Sequence, residues 1–230
     1  RGKMLANIVS LMKNIVVVGS HGKTTTTSLI ASIFQETNLD PTIINGGVIN
    51  SIKNTAKLGK SDWSVLEADE SDGSFVHIAP TYSIITNIDR EHMDFYKSMD
   101  DLKKYFIEFV NKVPSFGKSF ICVDDKINNE LIKKIKSKNF YTYGEKYKSN
   151  FRIKNIRQYE ARSEFDVTVN LPNKKILNIK KLRIPLIGVH NIRNSVGALG
   201  VALSVGIPIK KIKNGLINFK GVQRRFNKIF

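Results

Sequence analysis

The sequence predicts an α/β fold: a mostly parallel central sheet flanked by helices, followed by a small antiparallel β-meander. Three observations carry that prediction. Short apolar runs of strand length recur between stretches of helical periodicity, as expected of strands buried on both faces and joined by crossover helices. The first of these runs breaks into glycines and resumes as a helix. After Gly144 the pattern changes to apolar–polar alternation with turn residues between segments, which is the period of half-buried antiparallel strands.

Taken in order, Met4, Leu5, Ile8, Leu11 and Met12 fall at helical spacing and predict an opening helix. Ile15–Val18 reads as a central strand, Gly19–Gly22 as its exit turn, and Lys23 as the start of a helix whose apolar face is Leu29, Ile30, Ile33 and Phe34. Further strands are expected at Thr42–Ile44, Trp63–Ala68, Tyr82–Ile88, Ser119–Val123 and Phe140–Tyr143, with helices at Met99–Val113 and Lys126–Ile135. The meander occupies about residues 151–186, as Phe151–Tyr159, Ser163–Leu171 and Lys175–Leu186, with Leu171-Pro-Asn173 as one turn. Val189, Ile192, Val196, Leu199 and Leu203 then share one helix face. Pro208 suits the first turn of a last helix carrying Ile209, Ile212, Leu216 and Phe219. Trp63 and Tyr82, on strands, are assigned to the core.

Composition narrows the function. With 230 residues, 41% hydrophobic and 25% charged, the chain has globular composition. No apolar run approaches the roughly 20 residues that span a bilayer, and no signal pattern opens the chain, so a soluble cytoplasmic protein is expected with no membrane partner. The single Cys122, inside an apolar run, reads as a buried strand thiol and excludes a disulfide framework. The net charge of +17 is unevenly spread: residues 1–100 hold 9 of the 37 basic and 11 of the 20 acidic residues, so the remainder carries +19. That half is scattered lysine without an aromatic–basic recognition motif, hence a solvated surface and no nucleic-acid partner. The acids Glu67, Asp69, Glu70, Asp72, Asp89, Glu91 and Asp94 are the sharper signal. They need a counter-charge, for which a metal is one candidate.

The chemistry centres on Gly19-Ser20-His21-Gly22-Lys23-Thr24-Thr25. Between a strand and a helix, glycines let the backbone turn so that N–H groups and the helix N-terminus converge on a phosphate, Lys23 adds a point charge, and the Thr24 hydroxyl can enter a Mg²⁺ shell. The segment departs from the common nucleotide loop, with two residues between Gly19 and Gly22 instead of four and Val17 where the first glycine would stand. Glu67 closes a predicted strand, at the edge where open α/β sheets bind ligands, and could hold Mg²⁺ together with Thr24. Asn191 and Asn194 lie off the apolar stripe of their helix and are expected to be displayed, on a solvated polar face by pattern alone. Arg224 and Arg225 offer guanidinium groups suited to polyphosphate. By residue type alone His92 reads as an ordinary hydrogen-bonding histidine and not as a metal ligand, since Mg²⁺ prefers oxygen. His21 is expected to shape the loop.

The segment Gly19-Ser-His-Gly-Lys-Thr-Thr-Thr26 is similar to the shortened phosphate loop of the Mur ligases, ATP-dependent amide-forming enzymes of peptidoglycan synthesis. Asn45-Gly-Gly47, Glu67-Ala-Asp-Glu-Ser-Asp-Gly-Ser-Phe75, Thr86-Asn-Ile-Asp-Arg-Glu-His-Met-Asp94, His190-Asn-Ile-Arg-Asn194 and Gly221-Val-Gln-Arg-Arg-Phe226 extend the resemblance over essentially the whole chain. They resemble the branch that takes UDP-N-acetylmuramate and L-alanine as substrates. The resemblance implies ATP and Mg²⁺ as cofactors and the central ATPase domain over residues 1–230, with an N-terminal UDP-binding and a C-terminal closing domain absent. It implies Glu67 as a metal ligand and His92 as a ligand of a second Mg²⁺, completing a metal set of Thr24, Glu67 and His92. It also implies Asn191, Asn194 and Arg225 as nucleotide contacts, and Lys23, Glu67, His92 and Arg225 as the catalytic group. Alternatives are a murein tripeptide ligase, a folylpolyglutamate synthase, or a non-catalytic ATP-binding module.

Overall fold

The computed structural model describes residues 2–222. One ten-stranded sheet runs through them in the order β10-β9-β8-β7-β6-β5-β1-β4-β2-β3. Its parallel centre comprises β1 (Lys13–Val18), β2 (Thr42–Ile49), β4 (Trp63–Glu67), β5 (Tyr82–Ile85), β6 (Lys118–Cys122), β7 (Phe140–Gly144) and β8 (Phe151–Gln158). At one edge β3 (Asn54–Lys57) runs antiparallel to β2; at the other, β9 (Ser163–Val169) and β10 (Leu177–Ile184) continue from β8 as an antiparallel meander.

Strand β1 is buried on both sides, so its side chains sort by the period of two. Ile15 and Val17 join α2 (Lys23–Gln35), α5 (Val189–Val205) and α6 (Ile209–Ile217); Val16 and Val18 join α1 (Gly2–Ile8), α3 (Met99–Asn111) and α4 (Lys126–Leu131). Ser98 caps α3 by accepting the Asp101 N–H at 3.1 Å, and Asp125 caps α4 by accepting that of Asn128 at 2.7 Å. Cys122 is buried, and that burial pushes its thiol pKa up to about 11. Among the described residues no helix is long and apolar enough to cross a membrane.

Several expectations shift. The meander is joined to the main sheet: Tyr143 and Gly144 of β7 register with Phe151 and Arg152 of β8. The opening helix stops at Ile8 and leaves Leu11 exposed, because the chain must reverse before β1. Pro208 caps α6 from just outside it, in extended conformation. Trp63 and Tyr82 stack on each other at 6.1 Å but are only half-buried, at the margin of the core.

Candidate functional site

The site lies beyond the C-terminal ends of β1, β4 and β5. Gly19 (φ 129°) and Gly22 (φ 85°) turn the chain from β1 into α2. A Cβ on Gly19 would lie 2.3 Å from the Thr86 hydroxyl, and one on Gly22 would lie 2.8 Å from the Asn194 carboxamide oxygen, so both positions require glycine for conformation and for space. The loop is fastened from the side by the segment after β5. Asn87 accepts the Ser20 N–H on its backbone oxygen (3.0 Å) and the His21 N–H on its side-chain oxygen (2.8 Å), while its amide donates to the His21 carbonyl (2.9 Å). Thr86 donates its hydroxyl to the same carbonyl (2.7 Å), and Ser20 accepts the Asp89 N–H (2.8 Å).

Two consequences follow for the phosphate cradle. The N–H groups of Ser20 and His21 are already satisfied, so the anion-facing donors reduce to those at the head of α2. There Lys23, Thr24 and Thr25 find no main-chain acceptor among the described residues, as the geometry of a helix start dictates. His21 shapes the loop through its backbone; its exposed imidazole sits 3.0 Å from Asp89 and 3.6 Å from Glu91.

Adjacent helix residues address two different carboxylates from the segment Glu67-Ala-Asp-Glu70. Thr24 donates its hydroxyl to Glu67 at 3.0 Å, and the other Glu67 oxygen accepts the Gly46 N–H at 2.7 Å. Lys23 folds over its own loop, donating to the Gly19 carbonyl (2.7 Å), the Ser20 carbonyl (3.3 Å) and both oxygens of Glu70 (3.0 and 2.8 Å). The Lys23 side chain is only 14% exposed and that of Glu70 1%. Burial raises the Glu70 carboxyl above the ordinary carboxylate range, with the Lys23 ammonium opposing the rise.

His92 has a left-handed backbone (φ 57°), a costly conformation for a non-glycine residue, and its Nε2 lies 3.8 Å from Glu70. The predicted metal set is thus drawn in two pieces: Thr24 with Glu67, and His92 with Glu70. Asp69, Glu70 and His92 bring one ligand atom each within 4.8 Å of one another. Thr24 and Glu67 present hard oxygen donors, which fit Mg²⁺.

Asn191 and Asn194 are 4% and 6% exposed, so the expectation of a displayed polar face is overturned. The helical wheel omits what packs on the far side, and here the loop at Gly22 covers α5. Asn191 donates to the Ile187 carbonyl at 2.8 Å, and the Asn194 amide takes no side-chain partner from the described residues. Both line a cleft of about 470 Å³ with His21, Gly22, Thr25 and His190. Arg224 and Arg225 lie outside the described residues.

Sequence reasoning missed two participants. Asn87, quoted only within a motif, clamps the loop; its Thr-Asn position directly after a strand was the available signal. Glu70 was counted in an acidic group without a partner, because the pairing spans 47 residues.

Residues 17–202 match the family described as Mur ligase middle domain. Over all 230 residues the chain is 70% identical to the UDP-N-acetylmuramate–L-alanine ligase of Pelagibacter ubique (strain HTCC1062), covering 50% of that protein. Among solved structures it superposes on the UDP-N-acetylmuramate-alanine ligase MurC of Thermotoga maritima with a TM-score of 0.82 at 24% identity, covering 99% of this chain and 49% of that one. A MurF ligase of Thermotoga maritima solved in complex with ADP gives 0.72 at 19% identity, covering 98% and 53%. The chain spans about half the length of the curated relatives it matches, and by the extent of the family match, together with that shared fold, it belongs to the Mur ligase middle-domain family.

Proposed function

We propose that this chain is the central, ATP-handling unit of a ligase that joins L-alanine to UDP-N-acetylmuramate in peptidoglycan precursor synthesis. The observation that carries it is the pairing of Lys23 and Thr24, at the open head of α2, with two separate carboxylates at and just beyond the end of β4. The 70% identity to a ligase of that name supports the same reading. ADP in the MurF neighbour supports a nucleotide. The reaction is sited in the cytoplasm. Domains holding the UDP-sugar and closing over ATP are supplied from outside residues 1–230.

In this reading the α2 N-terminus and the Lys23 ammonium hold the β- and γ-phosphates. Thr24 and Glu67 hold a Mg²⁺, with His92 serving a second, and Asn191, Asn194 and Arg225 contact the nucleotide. When bound, Mg²⁺ screens the charge between the two reacting anions. The lactyl carboxylate attacks the γ-phosphorus and the bond to ADP breaks; the alanine amine then attacks the carbonyl carbon of the resulting acyl phosphate, inorganic phosphate leaves and the nitrogen loses a proton, giving an amide. No protein nucleophile is needed; the chain's task is to hold anions close in a preorganised site.

Calorimetric titration of the chain with Mg-ATP, beside a phosphate-release assay with UDP-N-acetylmuramate and L-alanine, tests this. Weak Mg-ATP binding without amide formation is expected, because most orientation of the reacting groups comes from the other domains. Failure to bind Mg-ATP refutes the nucleotide assignment; amide formation by this chain alone refutes the division of labour.

A further inference from the structure

We propose that Glu70 is the resident counter-ion of Lys23, which holds the ammonium in place over the loop and competes with an entering phosphate for it. Glu70 is thereby a positioning residue and sets a threshold for anion entry. The inference rests on the reading of the loop as a phosphate site.

An ammonium has three N–H donors. Those of Lys23 are taken by the Gly19 and Ser20 carbonyls and by the Glu70 carboxylate, so no donor is left over for a phosphate. An arriving anion must share or displace one of these acceptors, and only the carboxylate repels it as a like charge. Glu70 is itself anchored. It is almost wholly buried, and the Tyr96 hydroxyl donates to its backbone carbonyl, fixing the chain at that point. The facing His92 Nε2, at 3.8 Å, is beyond hydrogen-bonding distance, so Lys23 is the only cation in contact with this carboxylate among the described residues.

A buried ion pair is poor value as a fastener, since desolvating both groups offsets most of their attraction. Its position explains it better: the pair keeps a long flexible side chain at the phosphate position instead of letting it wander into solvent. Glu67 makes a useful contrast. It occupies the neighbouring Thr24 with a hydroxyl hydrogen bond and leaves Lys23 untouched.

The test uses the Glu70→Gln variant of this chain, which preserves shape and removes the charge. Mg-ATP and inorganic triphosphate are titrated into parent and variant by calorimetry, and the Lys23 side-chain ammonium is observed by ¹⁵N–¹H NMR without ligand. In the parent, Lys23 should give a protected ammonium signal that is lost in the variant, while triphosphate and Mg-ATP should each bind the variant roughly fivefold or more tightly, as removal of a like charge requires. An unchanged ammonium signal, or equal or weaker anion binding by a folded variant, overturns the proposal. Tighter triphosphate binding with no Mg-ATP binding by either protein leaves Glu70 in its role and removes the nucleotide reading instead. If Glu70→Gln does not fold, Glu70→Asp withdraws the carboxylate by one methylene; it should lose the protected signal and gain anion affinity to a smaller extent, and retention of the parent's values overturns the proposal.

Discussion

Two carboxylates hold basic partners in different parts of the same sheet, and they do different work. At the loop end, Glu70 meets one ammonium in a nearly closed setting. In the meander, Glu164 on β9 joins Arg157 of β8 (2.9 Å) and Arg183 of β10 (2.7 Å), whose side chains are more than half exposed. Glu164 accepts from both guanidinium groups, which hold its carboxyl below the ordinary range, the Arg183 hydrogen bond contributing most. Burial moves Glu70 the other way. Glu164, itself only 9% exposed but paired with two guanidinium groups that face solvent, is a clip across three strands. The singly paired Glu70 is a fault line at the place where a ligand is expected, and electrostatic mismatch of that kind marks functional sites more often than scaffolds.

The largest break in this comparison should come from Lys23→Ala. A lysine on a flexible stem is ordinarily solvent-exposed and nearly neutral for stability; the buried pair with Glu70 reverses that here. Removing one partner strands a buried charge, so urea denaturation should show a loss of about 3 kcal/mol. Mg-ATP affinity should fall roughly 10- to 100-fold, as expected for a lost hydrogen bond from a charged donor. A stable variant would mean that Glu70 finds water or protonates without cost. Unaltered Mg-ATP affinity would remove Lys23 from the phosphate site.

Glu67→Gln sharpens the contrast within the loop end. The amide oxygen can still accept the Gly46 N–H while the amide NH2 donates to the Thr24 hydroxyl, which reverses its role, so thermal melts should move little. Mg²⁺-dependent ATP affinity should drop about tenfold through loss of the charged oxygen. If the Mg²⁺ requirement is the same in both proteins, Glu67 belongs to the fold alone.

The smallest effect is expected in the meander. A carboxyl with a lowered folded pKa adds stability above its ordinary value near 4.5 and loses that stability as pH falls through the lower folded value. Glu164→Gln should therefore flatten the acid limb of the stability curve below about pH 4.5 and leave Mg-ATP binding as it was. A parallel curve in the variant would show that the two arginines do not distinguish the charged from the neutral side chain.

The two regions also differ in how far they could be read in advance. Strands β1, β4, β5 and β6 were legible because burial on both faces demands unbroken apolar runs, and the Gly19–Lys23 turn was legible because two positions there tolerate no Cβ. The meander's alternation was equally plain. Its attachment was not, since the pairing of β7 with β8 rests on two registered residues with no local signature. Strand β3 escaped notice: Asn54–Lys57 is exposed throughout and bears no apolar face, leaving nothing periodic to detect. Site partners were hardest. Lys23 and Glu67 announce themselves by type and place, whereas the choice of Glu70 for Lys23, and the burial of Asn194 beneath Gly22, are made by tertiary packing.

Asn87 gives the loop a property that neither glycines nor lysine could supply. By accepting the consecutive Ser20 and His21 N–H groups and returning a donor to the His21 carbonyl that follows them, Asn87 imitates a neighbouring strand and carries β-sheet order past the last residue of β1. The loop's shape is settled when the protein folds. A ligand then meets a mould that is already set, and the entropy of ordering those residues is charged to folding and not to each encounter. On that view the neighbouring strand tunes binding speed and strength without touching the ligand, by deciding how little of the loop is left to arrange.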